Sequence, residues 1–160
     1  MPRFSIVFTF AILSLGGCTE SRKWDVSPDM ERVVTALGGA YAAFNRGDMT
    51  AAVEPLDAQV EWTEPAEFPG GGTYHGRDGV KQYLTQSRAA WGEVNSEAER
   101  FIIVGKRIVV FVHARVRDKW QGVSLADVYT VRNGRVVEMQ AFADRREALR
   151  WVGAEAERDR

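Results

Sequence analysis

Cysteine and histidine are rare in this 160-residue chain, and its net charge is small. The single cysteine excludes an intrachain disulfide and a cysteine metal cluster. Two histidines, His75 and His113, are too few for a convincing histidine-rich metal site. The formal net charge of −1 provides no basic face of the kind that nucleic-acid-binding proteins carry. We therefore expect no metal, no cofactor and no nucleic-acid partner.

The first eighteen residues have the pattern of a secretory signal. A positive charge at Arg3 precedes an apolar run over residues 4–15, which is too short to span a bilayer. Leu15-Gly16-Gly17-Cys18 has the form of a bacterial lipobox. The pattern predicts a signal peptide over residues 1–18 and a lipid on Cys18.

A lipid on Cys18 would tether the protein to the cell envelope, on the periplasmic side in a diderm bacterium. Residues 19–27 are then a polar tether. The alternative is a cytoplasmic protein that starts at Met30. The 45% hydrophobic content suits one ordinary domain, which we assign to residues 28–153, with a charged tail over 154–160.

Helical patterns dominate the first part of this domain. Ser27-Pro28-Asp29 combines a hydroxyl cap, a proline at the first helical position and an acid at the positive end of the helix dipole. Apolar residues then recur at helical spacing over 33–44. A short second helix is predicted over 48–55 and a third over about 78–91. The intervening residues 65–73 contain two prolines and three consecutive glycines, which predict a loop that is either a connector or a lid.

Strand patterns dominate the second part. Strands are predicted at 98–104, 107–117, 123–132 and 135–143. Asn133-Gly134 between the last two is the strongest short hairpin signal, and Asp144 has the spacing of a cap for a final helix. Helices followed by a meander of antiparallel strands predict an α+β fold with helices on one side of a sheet.

An acid ends the apolar face of the first predicted strand. Val60, Trp62 and Glu64 alternate with Glu61 and Thr63, which is the two-residue period of a half-buried strand. A carboxylate at the end of that apolar face indicates a cavity rather than a solvated surface.

A second acid lies in the middle of an apolar strand face. Asp127 shares its face with Val123, Leu125, Tyr129 and Val131. A carboxylate in that position must pair with a cation, take up a proton or face a cavity, because burial of an isolated charge is very costly.

The block from Tyr41 to Pro65, with Tyr-Ala-Ala-Phe-Asn-Arg-Gly-Asp and Val-Glu-Trp-Thr-Glu-Pro, resembles the NTF2-like superfamily. Within it the block resembles the SnoaL-like branch, which is related to the ketosteroid isomerases, and the similarity extends over about residues 30–143. The resemblance implies a cone in which three N-terminal helices pack on a strongly curved, mostly antiparallel sheet. It also implies a cavity for a small hydrophobic ligand or substrate, and homodimers that pair through their sheets.

The resemblance also assigns roles to the two acids. Alignment on Asn45-Arg46-Gly47-Asp48 and Asn133-Gly134 places Glu64 at the family's proton-shuttling aspartate and Asp127 at the protonated aspartate of its oxyanion hole. It implies that Glu64 is the catalytic base and that neutral Asp127 stabilises a developing oxyanion. The family's oxyanion tyrosine falls on Ala40, and Tyr41 points about 100° away on a helix. One donor of the hole is therefore expected to be absent.

A salt bridge is the alternative explanation of Asp127. Arg115 lies on the neighbouring predicted strand, and if it reaches Asp127 the acid stays ionised and orders the core or binds a polar ligand head. The residues predicted to line the cavity are Tyr41, Trp62, His113, Arg115, Tyr129 and Met139.

Three functions are compatible with these patterns. The first is a cofactor-independent enzyme of isomerase, cyclase or dehydratase type that uses Glu64 and Asp127. The second is a non-catalytic module that holds a small apolar molecule, and the third is a dimeric interaction domain. A lipobox at Cys18 shifts the balance slightly towards the second.

Overall fold

A computed structural model describes residues 26–92, 94–116 and 122–154 of the chain. Cys18, the signal segment, most of the tether and the tail from residue 155 lie outside the described residues. The lipid anchor and the domain limits at both ends therefore stay predictions. None of the helices in the described part is long and apolar enough to cross a membrane.

Helices and strands follow the predicted α+β order in this part of the chain. The helices are α1 (Pro28–Asn45), α2 (Met49–Ala52), α3 (Gly76–Trp91) and α4 (Arg145–Trp151). The strands are β1 (Leu56–Glu64), β2 (Gly72–His75), β3 (Val94–Val104), β4 (Arg107–Val116), β5 (Val123–Arg132) and β6 (Arg135–Phe142). The helices begin where the caps predict. The Ser27 side chain accepts a hydrogen bond from the amide of Met30, and Asp48 and Asp144 cap α2 and α4 in the same way.

One sheet contains all the described strands, in the order β2-β1-β6-β5-β4-β3. Neighbouring strands are antiparallel except for β1 and β6, which are parallel. Register shifts within β1, β3 and β6 mark bulges, and bulges bend a strand and increase its twist. The predicted curved, mostly antiparallel sheet with three helices before the meander is confirmed, and α4 is a fourth helix.

Strand β2 occupies the end of the segment that the sequence predicts as a loop. Thr63 pairs with Thr73 and Glu64 with Gly72, so the chain is already paired to β1 before residue 73. The glycines and prolines obscure this strand because their backbone preferences favour turns. The remaining loop, residues 65–71, crosses from β1 to β2.

The two faces of the sheet carry separate hydrophobic clusters. We call the face that bears Val60, Trp62, Val110 and Tyr129 the inner face, and α1 packs on it. The outer face bears a smaller cluster, which α4 covers through Ala148 and Leu149. The outer cluster consists of Val109, Ala126, Val128, Phe142 and Ala148. Both acids belong to the inner face, since Glu64 follows Trp62 by two residues on β1 and Asp127 precedes Tyr129 by two on β5.

Candidate functional site

A cavity of about 190 Å³ lies between the inner face and the helices. Its walls are largely apolar and aromatic, and they come from α1, α2, α3, β1, β3, β4, β5 and the loop 65–71. The third helix contributes Leu84, Ser87 and Trp91 to the lining. A cavity of ~150 Å³ can hold a benzene molecule, so this space suits a compound with one or two rings.

The deepest polar group of the cavity is Asp127, which is only 9% exposed. The Tyr41 hydroxyl on α1 donates a hydrogen bond to its Oδ2 atom. The Tyr129 hydroxyl lies 3.4 Å from the same oxygen and 2.8 Å from the Tyr41 hydroxyl. Two phenols therefore hold one carboxyl group.

These contacts correct the expectation that one donor of the hole is absent. The resemblance places the oxyanion tyrosine at Ala40, whose side chain cannot donate a hydrogen bond. Ala40 and Tyr41 both line the cavity, and the hydroxyl of Tyr41 donates to Asp127 instead. The predicted placement of Tyr41, Trp62 and Tyr129 around a cavity agrees with the lining of this space.

Glu64 occupies the cavity wall on the β1 side. The Trp62 indole Nε1 donates a hydrogen bond of 2.7 Å to its Oε1 atom. The Trp62 ring in turn meets the Tyr129 ring edge-on, with centroids 6.2 Å apart. The two acids are thus joined through aromatic residues rather than through a cation.

Strand β6 separates the two acids. Asp127 pairs with Ala141, and Thr63 pairs with Gln140 in the parallel register of β1 and β6. One residue further along that register, Glu64 lies opposite Ala141 as well. The Cα atoms of the acids are therefore about two strand spacings apart, roughly 10 Å.

The surroundings raise the pKa of both acids. Burial raises the pKa of Glu64 to about 8, the charge of Asp127 adds to the rise, and hydrogen bonds from Trp62 and Tyr83 oppose it. Burial raises the pKa of Asp127 to about 6, against the hydrogen bonds from Tyr41 and Tyr129, which stabilise its ionised form. Burial also raises the pKa of both tyrosines well above the ordinary value, so they remain donors.

Burial and the charge of Asp127 together raise the pKa of Glu64 further than burial raises that of Asp127, so Glu64 holds its proton to a higher pH than Asp127 does. Asp127 is thus suited to accept a proton and Glu64 to donate one. The physical reason is the charge of Asp127, which raises the pKa of Glu64 further, whereas each acid accepts hydrogen bonds from two donors.

Three predicted cavity residues lie elsewhere. Asp127 pairs with Val110, so the even-numbered residues of β4 share the inner face with it. His113 and Arg115 are odd-numbered and therefore project from the outer face. Arg115 lies 3.7 Å from Glu97, which rules out the predicted salt bridge to Asp127. His113 lies 3.3 Å from the Ser124 hydroxyl. Met139 is fully buried in the inner cluster beside Trp62 and Tyr129, outside the lining.

Tyr83 and Phe68 are cavity residues that the sequence did not single out for the site. Tyr83 lies three residues after Val80, so it belongs to the helical stripe that contains Leu84 and Ser87, and this spacing was the available signal. Phe68 lies in the loop 65–71, where no periodicity exists to indicate its direction. Among the described residues, no group of three or more His, Cys, Asp or Glu could hold a metal ion.

Comparison with known proteins agrees with this architecture. A model of the SnoaL-like domain matches residues 38–139. An NTF2-like protein of unknown function from Burkholderia pseudomallei is 28% identical, with a TM-score of 0.61, over 76% of this chain and 97% of the other. TerC, which was co-crystallised with polyporic acid, is 24% identical with a TM-score of 0.63, over 76% and 98%.

A third similar structure is a protein of Sinorhizobium meliloti described as a putative polyketide cyclase. It is 14% identical, with a TM-score of 0.58, over 72% of this chain and 99% of the other. No match to a curated protein sequence was found. The family model covers well over half of the chain and spans both helices and strands of the cavity. The chain therefore belongs to the SnoaL-like domain family.

Proposed function

We propose that the protein binds a small, largely apolar carbonyl compound in the cavity and catalyses a proton transfer on it. The observation that carries this proposal is the Tyr41–Asp127–Tyr129 cluster, which faces Glu64 across an otherwise apolar space. Two carboxyl groups with separated pKa values are the arrangement that acid–base enzymes use near neutral pH. The reaction is of the isomerase, cyclase or dehydratase type.

The order of the pKa values defines the first step. Asp127 takes a proton from the carbon next to the carbonyl group, and the electron pair of that C–H bond forms a C=C bond. The carbonyl oxygen takes the proton of Glu64, which gives an enol. Return of a proton from Asp127 to carbon and of the enol proton to Glu64 completes an exchange or an isomerisation. The hydrogen bonds from Tyr41 and Tyr129 keep Asp127 ionised and oriented.

The similar structures support the proposal that the cavity binds a small molecule. TerC was co-crystallised with polyporic acid, and the Sinorhizobium protein is described as a putative polyketide cyclase. Both likenesses concern the fold, so the assignment of the reaction rests on the residues of this chain.

Exchange of hydrogen for deuterium tests the proposal directly. We choose 2-indanone as the probe, because its two fused rings suit the volume and its acidic C–H bonds flank a carbonyl group. In D₂O, ¹H NMR should reveal faster loss of these protons with the full chain than with buffer. Glu64→Gln and Asp127→Asn should each lower the rate by about 100-fold or more.

Glu61→Gln is the matched control for Glu64→Gln. Glu61 lies on the same strand but on the exposed face, so its replacement should leave the exchange rate unchanged. An exchange rate that is equal in the wild type and both cavity variants would overturn the proposal.

Ligand binding without turnover is the second candidate function, and the apolar lining of the cavity favours it. In that case Trp62→Ala should weaken ligand binding more than either acid substitution, because it removes a large aromatic side chain from the cavity wall. Mass spectrometry of molecules carried through purification identifies the ligand in both cases.

We also propose that Cys18 anchors the protein in the cell envelope and that the folded domain forms a homodimer. Intact-mass measurement should reveal a diacylglyceryl group on Cys18, and Cys18→Ser should release the protein from membranes. Light scattering of the Cys18→Ser chain should give twice the chain mass. Recovery of the wild type in the cytoplasmic fraction, or of a strict monomer, contradicts the respective proposal.

A further inference from the structure

The charge of Asp127 has no cationic partner in the described part of the chain. Asp127 is the one buried charged residue there, and its hydrogen-bond partners are phenols. No described ion pair includes Asp127 or Glu64. A buried carboxylate without a counter-charge is costly to keep ionised, which is the reason that its pKa is raised.

Basic side chains are missing from the cavity wall itself. Among the described residues that line it, the ionisable groups are carboxyls and phenols, and none is Lys, Arg or His. Arg88 approaches from outside the lining. Its Nη1 atom donates to the carbonyl oxygens of Phe44 and Val94 at 3.1 and 3.2 Å. Its guanidinium carbon lies 5.9 Å from the centroid of the Phe44 ring. Arg115 lies on the outer face with Glu97.

The walls around the acids are the kind that attract a cation. Trp62, Tyr83, Tyr129 and Phe44 present aromatic rings to the cavity. The face of an aromatic ring attracts a positive charge, by about 0.5–1 kcal/mol at exposed sites and more when water is excluded. A negative carboxylate inside aromatic walls would therefore stabilise a cation and repel an anion.

We propose that the cavity selects its ligand by charge, and that the ligand is a small ring compound with a protonated nitrogen that pairs with Asp127. This inference goes beyond the proposed function and shares only its cavity, because a protonated nitrogen on Asp127 occupies the carboxylate that the proton transfer uses. The cationic compound is therefore a second ligand that competes with the carbonyl substrate. The cation completes an ion pair that the described residues leave open, while the ring fills the apolar space. An anionic compound of the same shape meets two acids, and no basic side chain is among the described residues of the lining.

A series of three isosteric molecules tests the inference. Benzamidinium, benzamide and benzoate have the same shape and carry charges of +1, 0 and −1. Saturation-transfer NMR titration of the full chain at pH 7 should give a Kd for benzamidinium at least about tenfold lower than for benzamide. Benzoate should bind more weakly than benzamide.

Asp127→Asn should remove the preference between benzamidinium and benzamide but leave benzamide binding within a few-fold. Glu61→Gln, on the exposed face, should change neither. The preference should also rise from pH 5.5 to pH 8.5, since Asp127 and then Glu64 ionise over this range. Tyr41, Tyr83 and Tyr129, which face these acids from α1, α3 and β5, stay neutral throughout.

The outcomes separate this inference from the proposed function. Equal binding of benzamidinium and benzamide, tighter binding of benzoate, or no binding of any of the three at about 10 mM would each overturn charge selection. Exchange of 2-indanone protons is an independent measurement, so its success or failure decides the proposed function alone. A preference that survives in Asp127→Asn would overturn the assignment of the ion pair to that residue.

Discussion

Single residues determine which acid is ionised. The sequence predicts that Tyr41 lines a cavity but not that it donates a hydrogen bond to Asp127, because Tyr41 points about 100° away from Ala40 on a helix. That argument treats the helix as isolated. The curved sheet surrounds a wide sector of α1, so that Ala40 and Tyr41 both line the cavity. The length of the tyrosine side chain then allows it to reach Asp127.

The raised pKa of Asp127 predicts a stability that falls with rising pH. The folded state holds the proton of Asp127 up to a pKa of about 6, whereas the unfolded state releases it near the ordinary value of 3.8. The folded chain therefore binds more protons between these values, and the free energy of unfolding decreases as pH rises through them. For Asp127 alone the decrease is at most about 3 kcal/mol.

Urea unfolding of the wild type and Asp127→Asn between pH 4 and pH 8 measures this effect. The variant should lose about half of the decrease between about pH 4 and pH 6, because its amide does not titrate while Glu64 still does. The decrease that remains, both in this interval and above pH 6, belongs to Glu64, whose pKa is raised from 4.5 to about 8. Identical pH profiles of the two proteins would contradict the raised pKa of Asp127.

Whole elements reveal why some residues could be placed from the sequence and others could not. The alternation within β5 correctly placed Asp127 and Tyr129 on one face, because a strand has a fixed two-residue period. Alternation within β4 also correctly grouped His113 and Arg115. It could not indicate that this group faces away from Asp127, because that depends on the register of β4 against β5. Sequence periodicity contains no information on register.

Arg145 joins α4 to three strands. Its guanidinium donates to the carbonyl oxygens of Leu125 and Val112 at 3.2 and 2.9 Å and to the Glu99 carboxylate. The guanidinium carbon also lies 5.0 Å from the centroid of the Phe111 ring. Arg145→Ala should lower the free energy of unfolding by about 2–3 kcal/mol, because it leaves partly buried carbonyl groups without donors.

Arg146→Ala is the matched control for this measurement, since the neighbouring arginine is exposed. We expect its effect to stay within about 0.5 kcal/mol in the same urea titration. Arg145→Lys should recover only part of the loss, because an ammonium group cannot span the same acceptors. Equal effects of the two alanine substitutions would contradict the role of Arg145.

The loop 65–71 brings Phe68 to the cavity through two turns. The amide of Phe68 donates to the Pro65 carbonyl at 3.0 Å, and the amide of Gly71 donates to the Phe68 carbonyl at 2.8 Å. A Cβ atom on Gly71 would lie 2.1 Å from the Pro65 carbonyl oxygen, so a methyl group cannot fit without a backbone shift. Gly71→Ala should displace Phe68 and weaken binding of benzamide severalfold.

Gly79→Ala provides the comparison. Gly79 lies inside α3 with open space around its added methyl group, so this substitution should raise the melting temperature and leave the Kd of benzamide unchanged. If Gly71→Ala leaves benzamide binding unaltered, Phe68 is not a functional part of the cavity wall.

At the scale of the whole molecule, the two hydrophobic clusters share the same strands. Strand β4 contributes Val110 to the inner cluster and Val109 to the outer one, and β5 contributes Tyr129 and Val128 in the same way. Loss of these strands would expose both clusters, so we expect a single cooperative transition on unfolding.

Two variants that each retain one fluorescent reporter test this expectation. One keeps only Trp62, in the inner cluster, and the other keeps only Trp151, which packs on Phe142 outside. In each variant, the urea midpoint measured by tryptophan fluorescence should equal the midpoint measured by circular dichroism. A Trp151 transition that precedes loss of the strands would indicate that the outer cluster unfolds independently.

The pairing of the whole sheet exceeds what the sequence alone could provide. The hairpin signals correctly joined β3 to β4 and β5 to β6, because neighbouring strands pair through short turns. The parallel contact between β1 and β6 connects residues that lie far apart in the chain, and no local pattern marks it. The resemblance to known cones, rather than periodicity, predicted that the two acids share one cavity.

That parallel contact has a consequence during synthesis on the ribosome. The strand with Glu64 is made early, but its partner β6 is almost the last part of the domain to emerge. Until then the edge of β1 that pairs with β6 has no partner strand. Distant pairing of this kind slows folding and lengthens the time at risk of aggregation. A ribosome that stalls before residue 142 would therefore present a chain without a functional site, and such a chain would be a natural client of chaperones.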